Sequence, residues 1–365
     1  MASSKSLEMA PNTSNVGSIF IKSQRAKPVK LPKDTNLSGQ TAIVTGASTG
    51  LGFHCCRHLL SFQLSHLIMP VRSVKRGEDA ASKLRAEFPR VKIEVWTLEM
   101  SSYESIQAFV RRVEKDLPRL DIAILNAGLT NEHFEIVEST GHEEVIQVNY
   151  LSTVLLSILL LPALKTKSPP STPGRLTIVN SGTSYFAKFP NRHEISLLKS
   201  FDDKSTWNAN EQYPCSKLLL HYFMVKLINY VDSKDVIVNC VDPGLVKGTS
   251  LSRDVKVALS VVYSVVKSLI GRLLDAGSST YVDAAVVKGK ESHGCFVMDW
   301  KIAPFALLLY APDSYTVREQ LWHETMKELE FASPLRILES MKQEIGAGLE
   351  LWEYWLGPVV FEFPL

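Results

Sequence analysis

Thr45-Gly46-Ala47-Ser48-Thr49-Gly50-Leu51-Gly52 follows the apolar run Ala42-Ile43-Val44 and leads directly into a helix-like segment, Phe53 to Phe62. Strand, glycine-rich turn and helix together set a helix N-terminus against an anion. The first amide N–H groups there lack intrahelical partners, and the helix dipole favours negative charge. Gly46, Gly50 and Gly52 let the backbone turn tightly and approach a diphosphate without a Cβ in the way. Ser48, Thr49 and Leu51 lie between them in the same cradle. The spacing is G-x-x-x-G-x-G, not the G-x-G-x-x-G of the dinucleotide fingerprint, and a strand-to-helix turn with no ligand can also be glycine-rich.

A second set of residues could move protons. Tyr213 and Lys217 are four apart, which on a helix places a phenol and an amine on one face, one turn apart. Tyr222/Lys226, Tyr230/Lys234 and Tyr263/Lys267 share that spacing. A helix from about 211 to 231 starts at the ligand-binding edge of its sheet, so only its first turns lie near a bound cofactor. Tyr222 is some 13 Å further along, at about 1.5 Å per residue, which leaves Tyr213 and Lys217 as the pair in position. Ser181 ends an apolar run, Leu176 to Val179, and its hydroxyl points into the crevice. Asn149 lies in a long apolar helix, where an amide needs a partner. It either bridges two backbone groups or positions a water near a proton relay.

β-Branched runs recur at 41–45, 66–69, 91–97, 121–125, 175–180 and 235–241. Helical segments separate them at 51–62, 74–87, 101–117, 139–164 and 211–231. The alternation predicts an α/β fold, a doubly wound parallel sheet of Rossmann-like type with right-handed crossovers. Ligands of such sheets bind at the carboxyl ends of the strands, where every group named above falls. After the second strand, Met69-Pro70-Val71-Arg72-Ser73 offers Arg72 where an NAD-preferring fold has a carboxylate for the ribose hydroxyls. A guanidinium suits a 2′-phosphate, which favours NADP(H) over NAD(H); the alternative is a solvated charge beside Lys75 and Arg76. Glu99, at the end of the third strand, either contacts an adenine amino group or faces solvent beside a helix start. Asn126-Ala127-Gly128 ends the fourth strand, where small residues let the backbone approach a ribose.

Taken as an ordered set, Thr45-Gly46…Gly50-x-Gly52, Asn126-Ala127-Gly128, Asn149, Ser181, Tyr213…Lys217 and Pro243-Gly244 resemble the short-chain dehydrogenase/reductase family. Pro70-Val71-Arg72, Gly277 to Val282 and Glu291-Ser292-His293-Gly294 resemble its retinol-dehydrogenase-like branch, which includes fungal short-chain dehydrogenases. The resemblance covers roughly residues 36–335. It implies an NADP(H)-dependent oxidoreductase in which Tyr213 is general acid toward a carbonyl, or base toward an alcohol. A free phenol has a pKa of about 10, and the Lys217 ammonium favours its charged form. The same lysine would bond the nicotinamide ribose, Ser181 would donate to the substrate oxygen, and Asn149 would hold the water linking Lys217 to solvent. Three features depart from the family pattern: Glu99 replaces an aspartate, Thr249 is displaced by one residue after Pro243-Gly244, and the stretch from Ser181 to Tyr213 is long. That stretch contains Phe186, Phe189, Phe201 and Trp207, read as an insertion bordering the substrate pocket or as surface packing.

The chain of 365 residues is 45% hydrophobic and 21% charged, with a net charge of +2. That is ordinary for a soluble globular protein and gives no reason to expect nucleic acid as a partner. Cysteines 55, 56, 215, 240 and 295 form no C-x-x-C pair or zinc spacing, so no metal is expected and the thiols read as reduced. Cys55 and Cys56, adjacent on a helix, are not expected both to point inward. One domain is expected over 39–300, with an N-terminal extension at 1–38 anchored by Ile19-Phe20-Ile21 and a C-terminal extension at 301–365 packing on the core. Residues 245–275 read as a substrate lid, with a core helix and shallow membrane contact as alternatives. Charges at Lys256 and Lys267 interrupt that segment well short of the ~20 apolar residues that cross a bilayer. Trp352, Tyr354, Trp355, Phe361 and Phe363 could cover the pocket, pair two copies into a homo-oligomer or touch lipid. The expected location is cytoplasmic, with mitochondrial and membrane-peripheral placement left open. The expected substrate is a fairly large, apolar carbonyl or secondary alcohol of secondary-metabolite type. The alternatives are epimerisation or dehydration on the same fold, or a cofactor-sensing scaffold without turnover.

Overall fold

The short β-branched runs form β1 (Thr41–Val44), β2 (His66–Val71), β3 (Lys92–Thr97), β4 (Ile122–Leu125), β5 (Gly174–Val179) and β6 (Val236–Asp242). Two more strands, β7 (Cys295–Met298) and β8 (Lys301–Ala303), complete one sheet in the order β8-β7-β6-β5-β4-β1-β2-β3. All neighbours run parallel except β7 and β8. The computed structural model describes residues 4–249 and 270–342. Side chains along β1 alternate between two cores: Ile43 joins the one on one face, while Ala42 and Val44 join the other. This is the period-2 pattern of a strand covered on both sides.

One face carries α2 (Gly50–Ser61), α3 (Val74–Glu87) and, from later in the chain, Leu274–Val282. The opposite face carries α4 (Tyr103–Asp116), α5 (Glu144–Thr166) and α6 (Ala209–Leu227). Helix α4 shows why such segments fold as they do. Ile106, Phe109, Val110 and Val113 form one buried stripe, and Ser102 caps the start by accepting from Ser105 N at 3.1 Å. Helix α5 is apolar all round. It is long and apolar enough to cross a membrane, yet its apolar stretch is buried inside the protein and only its ends approach the surface. It starts at Glu144 rather than 139, because Ile136–Val137 and His142–Glu143 pair as a ribbon turning at Gly141, φ +75°. Its turn Gln147–Ser152 is π-helical and carries Asn149, a distortion frequent at functional sites.

Leu274–Val282 is α7, and it is followed by α8 (Ser314–Glu328) and α9 (Pro334–Met341). Helices α8 and α9 close over α5 and α6. Tyr150 Oη meets Thr325 Oγ1 at 2.8 Å, Lys165 Nζ donates to Met341 O at 3.0 Å, and Lys226 pairs with Glu319 at 2.7 Å. Three expectations are corrected. Cys55 and Cys56 are both buried, since α2 is packed between the sheet and α7. Phe189 and Phe201 are core residues stacked on each other, centroids 5.8 Å apart, so they do not border a pocket. Within Ile19-Phe20-Ile21 only Ile19 is buried, and Ile21 is 47% exposed. The apolar segment around Val257 to Leu269 and the aromatics from Trp352 to Phe363 lie outside the described residues.

Candidate active site

The glycine-rich turn is held from the strand beside it. Asn126 Nδ2 donates to Thr45 O at 2.9 Å and Gly46 O at 3.3 Å, and Ala127 N donates to Thr45 Oγ1 at 2.9 Å. A Cβ on Gly52 would lie 2.7 Å from both Gly46 O and Asn126 Nδ2, so no larger residue fits there. Gly50 has φ +57°, and the space where its Cβ would point holds no atom within 4 Å. The turn is therefore open on the side of Gly50, as a diphosphate cradle requires. Thr49 is the N-cap of α2, and Ser48 is half-buried in the turn. Leu51 turns toward Gly277 of α7, so among the residues expected in the cradle it packs against a helix.

Tyr213 and Lys217 sit in the first turns of α6, with Asn208 as N-cap. Lys217 Nζ lies 5.6 Å from the centre of the Tyr213 ring and donates to Val179 O, the last residue of β5, at 3.0 Å. Gly128 leaves room for Asn149: a Cβ there would be 3.1 Å from Asn149 Oδ1, whereas Lys217 Nζ, at 3.7 Å, would be in ordinary contact. Loss of hydration lowers Lys217 from 10.5 to about 8. Asn149 Oδ1 accepts from Leu129 N at 2.9 Å, while Nδ2 donates to Leu129 O at 2.8 Å and Ser216 Oγ at 3.1 Å. Its amide thus bridges the loop after β4 to α6. Ser181 follows β5 and caps the turn Gly182–Phe186 by accepting from Thr183 N at 3.2 Å, and this turn packs on α6.

Three residues outside the sequence-based set complete the cluster. Asn180 donates to Lys217 O at 3.1 Å and accepts from Ser181 N at 2.7 Å, tying the serine to the helix of the tyrosine. Ser216 donates to Tyr213 O at 2.8 Å. Asp242 accepts from Gly182 N at 2.8 Å. A buried carboxylate ending an apolar strand was the available signal for Asp242, and an amide before the strand-end serine was the signal for Asn180.

Arg72 and Glu99 meet at the ends of β2 and β3, Nε to Oε2 at 3.8 Å, with the arginine side chain 65% exposed. Glu99 also accepts from Ser101 N at 3.2 Å, so its carboxylate is shared between a cation and a turn. The Thr249 hydroxyl donates to Val246 O at 3.2 Å. Pro243 and Gly244 follow β6, Gly244 with φ +75°. The competing pair Tyr222/Lys226 serves packing: Tyr222 donates to Leu308 O at 3.1 Å and Lys226 pairs with Glu319. Lys234 pairs with Asp232 on the surface, and Tyr263/Lys267 lie outside the described residues. Among the described residues no group of three or more His, Cys, Asp or Glu is placed to hold a metal.

A profile of the short chain dehydrogenase family matches residues 40–192. The short chain dehydrogenase/reductase mfmJ of Annulohypoxylon moriforme is 54% identical over 342 residues, 94% of this chain and 99% of that protein. The short chain dehydrogenase virL of Hypocrea virens is 41% identical over 324 residues, 89% of this chain and 95% of its own. Among solved structures, NADPH-bound carbonyl reductase from chicken fatty liver aligns with a TM-score of 0.54 at 21% identity, over 75% of this chain and 96% of that one. Salutaridine reductase from Papaver somniferum aligns with a TM-score of 0.54 at 20% identity, over 70% and 99%. At those identities the two structures speak for the fold.

Proposed function

The chain belongs to the short-chain dehydrogenase/reductase family and is an NAD(P)-dependent oxidoreductase; from that premise we propose that it uses NADPH to reduce a carbonyl on a fairly large, apolar substrate of secondary-metabolite type. The observation that carries the reading is the buried Lys217 ammonium, 5.6 Å from the Tyr213 ring and bonded to the strand end that leads into Ser181. A cation there favours the phenolate that remains once the phenol has given up its proton. Tyr213 protonates the carbonyl oxygen as the carbonyl carbon is reduced. Ser181 donates a hydrogen bond to that oxygen and stabilises the charge that gathers on it. Asn149 keeps the loop after β4 in register with Lys217 and borders the route by which solvent restores the proton.

The open side of Gly50 and the close packing at Gly52 fit a dinucleotide diphosphate, with Gly46, Ser48 and Thr49 around it. Asn126, Ala127 and Gly128 lie where the ribose would approach, and Arg72 is the cation for a 2′-phosphate, released from Glu99 when that phosphate binds. When bound, the nicotinamide supplies the hydride. An apolar substrate is supported by the sequence between Val257 and Leu269, and by Leu273, 68% exposed near the end of that segment. The test is a panel of apolar ketones and aldehydes with NADPH, with Tyr213→Phe as control. Tyr213→Phe is expected to bind NADPH as the wild type does while turnover falls by about 100-fold or more. Turnover without net NADPH loss would instead point to epimerisation or dehydration. Undiminished turnover in Tyr213→Phe would refute the assignment.

A further inference from the structure

Behind Ser181 lies a second set of charges, and the N-terminal segment closes it. Asp242 is 2% exposed, and Gly182, the residue after Ser181, donates to its Oδ1 at 2.8 Å. The guanidinium of Arg272, a residue 6% exposed, lies flat against Gly244, where a Cβ would come within 2.8 Å of Nη1. Nη1 donates to Pro243 O at 3.0 Å, Nη2 donates to Ser23 O at 2.8 Å and to the Asp299 carboxylate, and the Trp300 ring centre is 4.8 Å from the guanidinium carbon. Ser23 belongs to α1 (Val16–Arg25), and its hydroxyl donates to Asp299 Oδ1 at 2.8 Å. Beside it Gln24, with its amide oriented as hydrogen bonding demands, accepts from Leu245 N and donates to Leu245 O, each at 3.0 Å. Arg272 N donates to Leu245 O, and Lys247 N to Arg272 O, both at 2.8 Å.

A buried cation between carboxylates is a poor source of net stability, because desolvation offsets the attraction. What it supplies is one arrangement of the groups it touches, and here those groups are the loop after β6 and the turn of Ser181. We propose that α1 is part of the active site of this oxidoreductase, with Arg272 and Asp242 as positioning residues. Ser23 and Asp299 hold Arg272, Arg272 fixes Pro243 and Gly244, and Asp242 fixes the Gly182 amide and with it the Ser181 hydroxyl. The inference rests on the reading of Ser181 as donor to the substrate oxygen.

The test compares the full-length wild type with Ser23→Ala, Arg272→Ala, Arg272→Lys, Asp242→Ala and Asp242→Asn. Two readouts are taken: kcat and KM with NADPH and a reducible carbonyl, and amide hydrogen exchange in the NADPH-loaded protein. Misplacing Ser181 is expected to lower kcat by about 10- to 100-fold in Arg272→Ala and Asp242→Ala, with the carbonyl KM moving far less. Arg272→Lys and Asp242→Asn, which keep a donor to Pro243 and an acceptor for Gly182, are expected to recover part of that loss. Ser23→Ala is the mildest change to the fold, and it is expected to speed exchange across residues 181–186 and 243–247. Unchanged exchange in those segments, or variants whose unfolding midpoint falls while kcat holds, would overturn the proposal. If the wild type reduces no carbonyl, the reductase reading fails alone, and the exchange comparison still decides whether α1 positions the Ser181 turn.

Discussion

Replacing Lys217 by methionine should strengthen the fold while silencing it. The lysine is buried, and the loss of hydration holds its ammonium at about 8 against the ordinary 10.5. At 1.36 kcal/mol per tenfold, that gap is about 3 kcal/mol. The folded chain binds this proton more weakly than the unfolded chain does. Below about pH 8 both states carry the charge and the full cost of burying it is present. Between there and 10.5 the unfolded chain keeps the proton that the folded one has released, so stability rises with pH through that window. Methionine follows the same path through the core without a charge. It forfeits the bond to Val179 O, a loss of about 1 kcal/mol. Lys217→Met is therefore expected to be more stable than the wild type by about 2 kcal/mol at neutral pH, with the advantage gone near pH 10. Turnover should fall by about 100-fold or more. Urea titrations followed by tryptophan fluorescence at the two pH values, run beside NADPH oxidation, check both halves. A lower urea midpoint for the variant at neutral pH would refute the buried-charge reasoning, and surviving turnover would refute the site.

Arg72→Ala should weaken NADPH by about 1–2 kcal/mol, since the contact is charge-assisted but exposed, and leave NADH nearly untouched; equal loss in fluorescence titrations of both would remove Arg72 from the 2′-phosphate. Gly52→Ala sets a methyl 2.7 Å from Gly46 O. It should weaken NADPH binding by about tenfold or more and lower the thermal midpoint, whereas wild-type binding would mean the turn is not the cradle. Burial alone would lower His142, but Asp202 at 3.0 Å and Glu328 at 3.2 Å raise it to about 9. A raised pKa stabilises the fold below the unfolded value of 6.5, and that contribution fades as pH climbs toward 9. His142→Gln should thus cost about 1–3 kcal/mol near pH 6 and little near pH 10; equal losses at both would place the effect in packing.

The first six strands, and the gathering of the named side chains at their carboxyl ends, were legible because pattern and motif agreed. Apolar runs marked the strands, glycines and small residues marked the turns, and the crossover rule then fixed which ends face the ligand. The remaining elements carry no such signals. Strands β7 and β8 turn at Asp299 and Trp300, φ +54° and +60°, without the Asn-Gly or Asp-Gly pair that a tight hairpin favours. Trp300 tolerates that backbone because its ring is buried, its Nε1 donating to Ser279 Oγ at 3.1 Å. Helix α8 is polar over much of its surface and makes its buried contacts through Val317, Leu321, Trp322 and Met326, so it carries little of an amphipathic signature. Phe189 and Phe201 were misplaced because an aromatic-rich insertion looks the same in sequence whether its rings face a ligand or the core. The paired burial of Cys55 and Cys56 reflects α7, an element from far along the chain that covers the outer side of α2.

Helix α5 has a consequence for how the protein is made. Its apolar surface is covered by α4, synthesised before it, but also by β5, α6, α8 and α9, all synthesised after it. A nascent chain leaving the ribosome therefore carries a segment that membrane-insertion machinery could accept, with much of its eventual cover still untranslated. Soluble yield in a foreign host is then expected to rise with chaperone supply during translation, which expression with and without added chaperone checks.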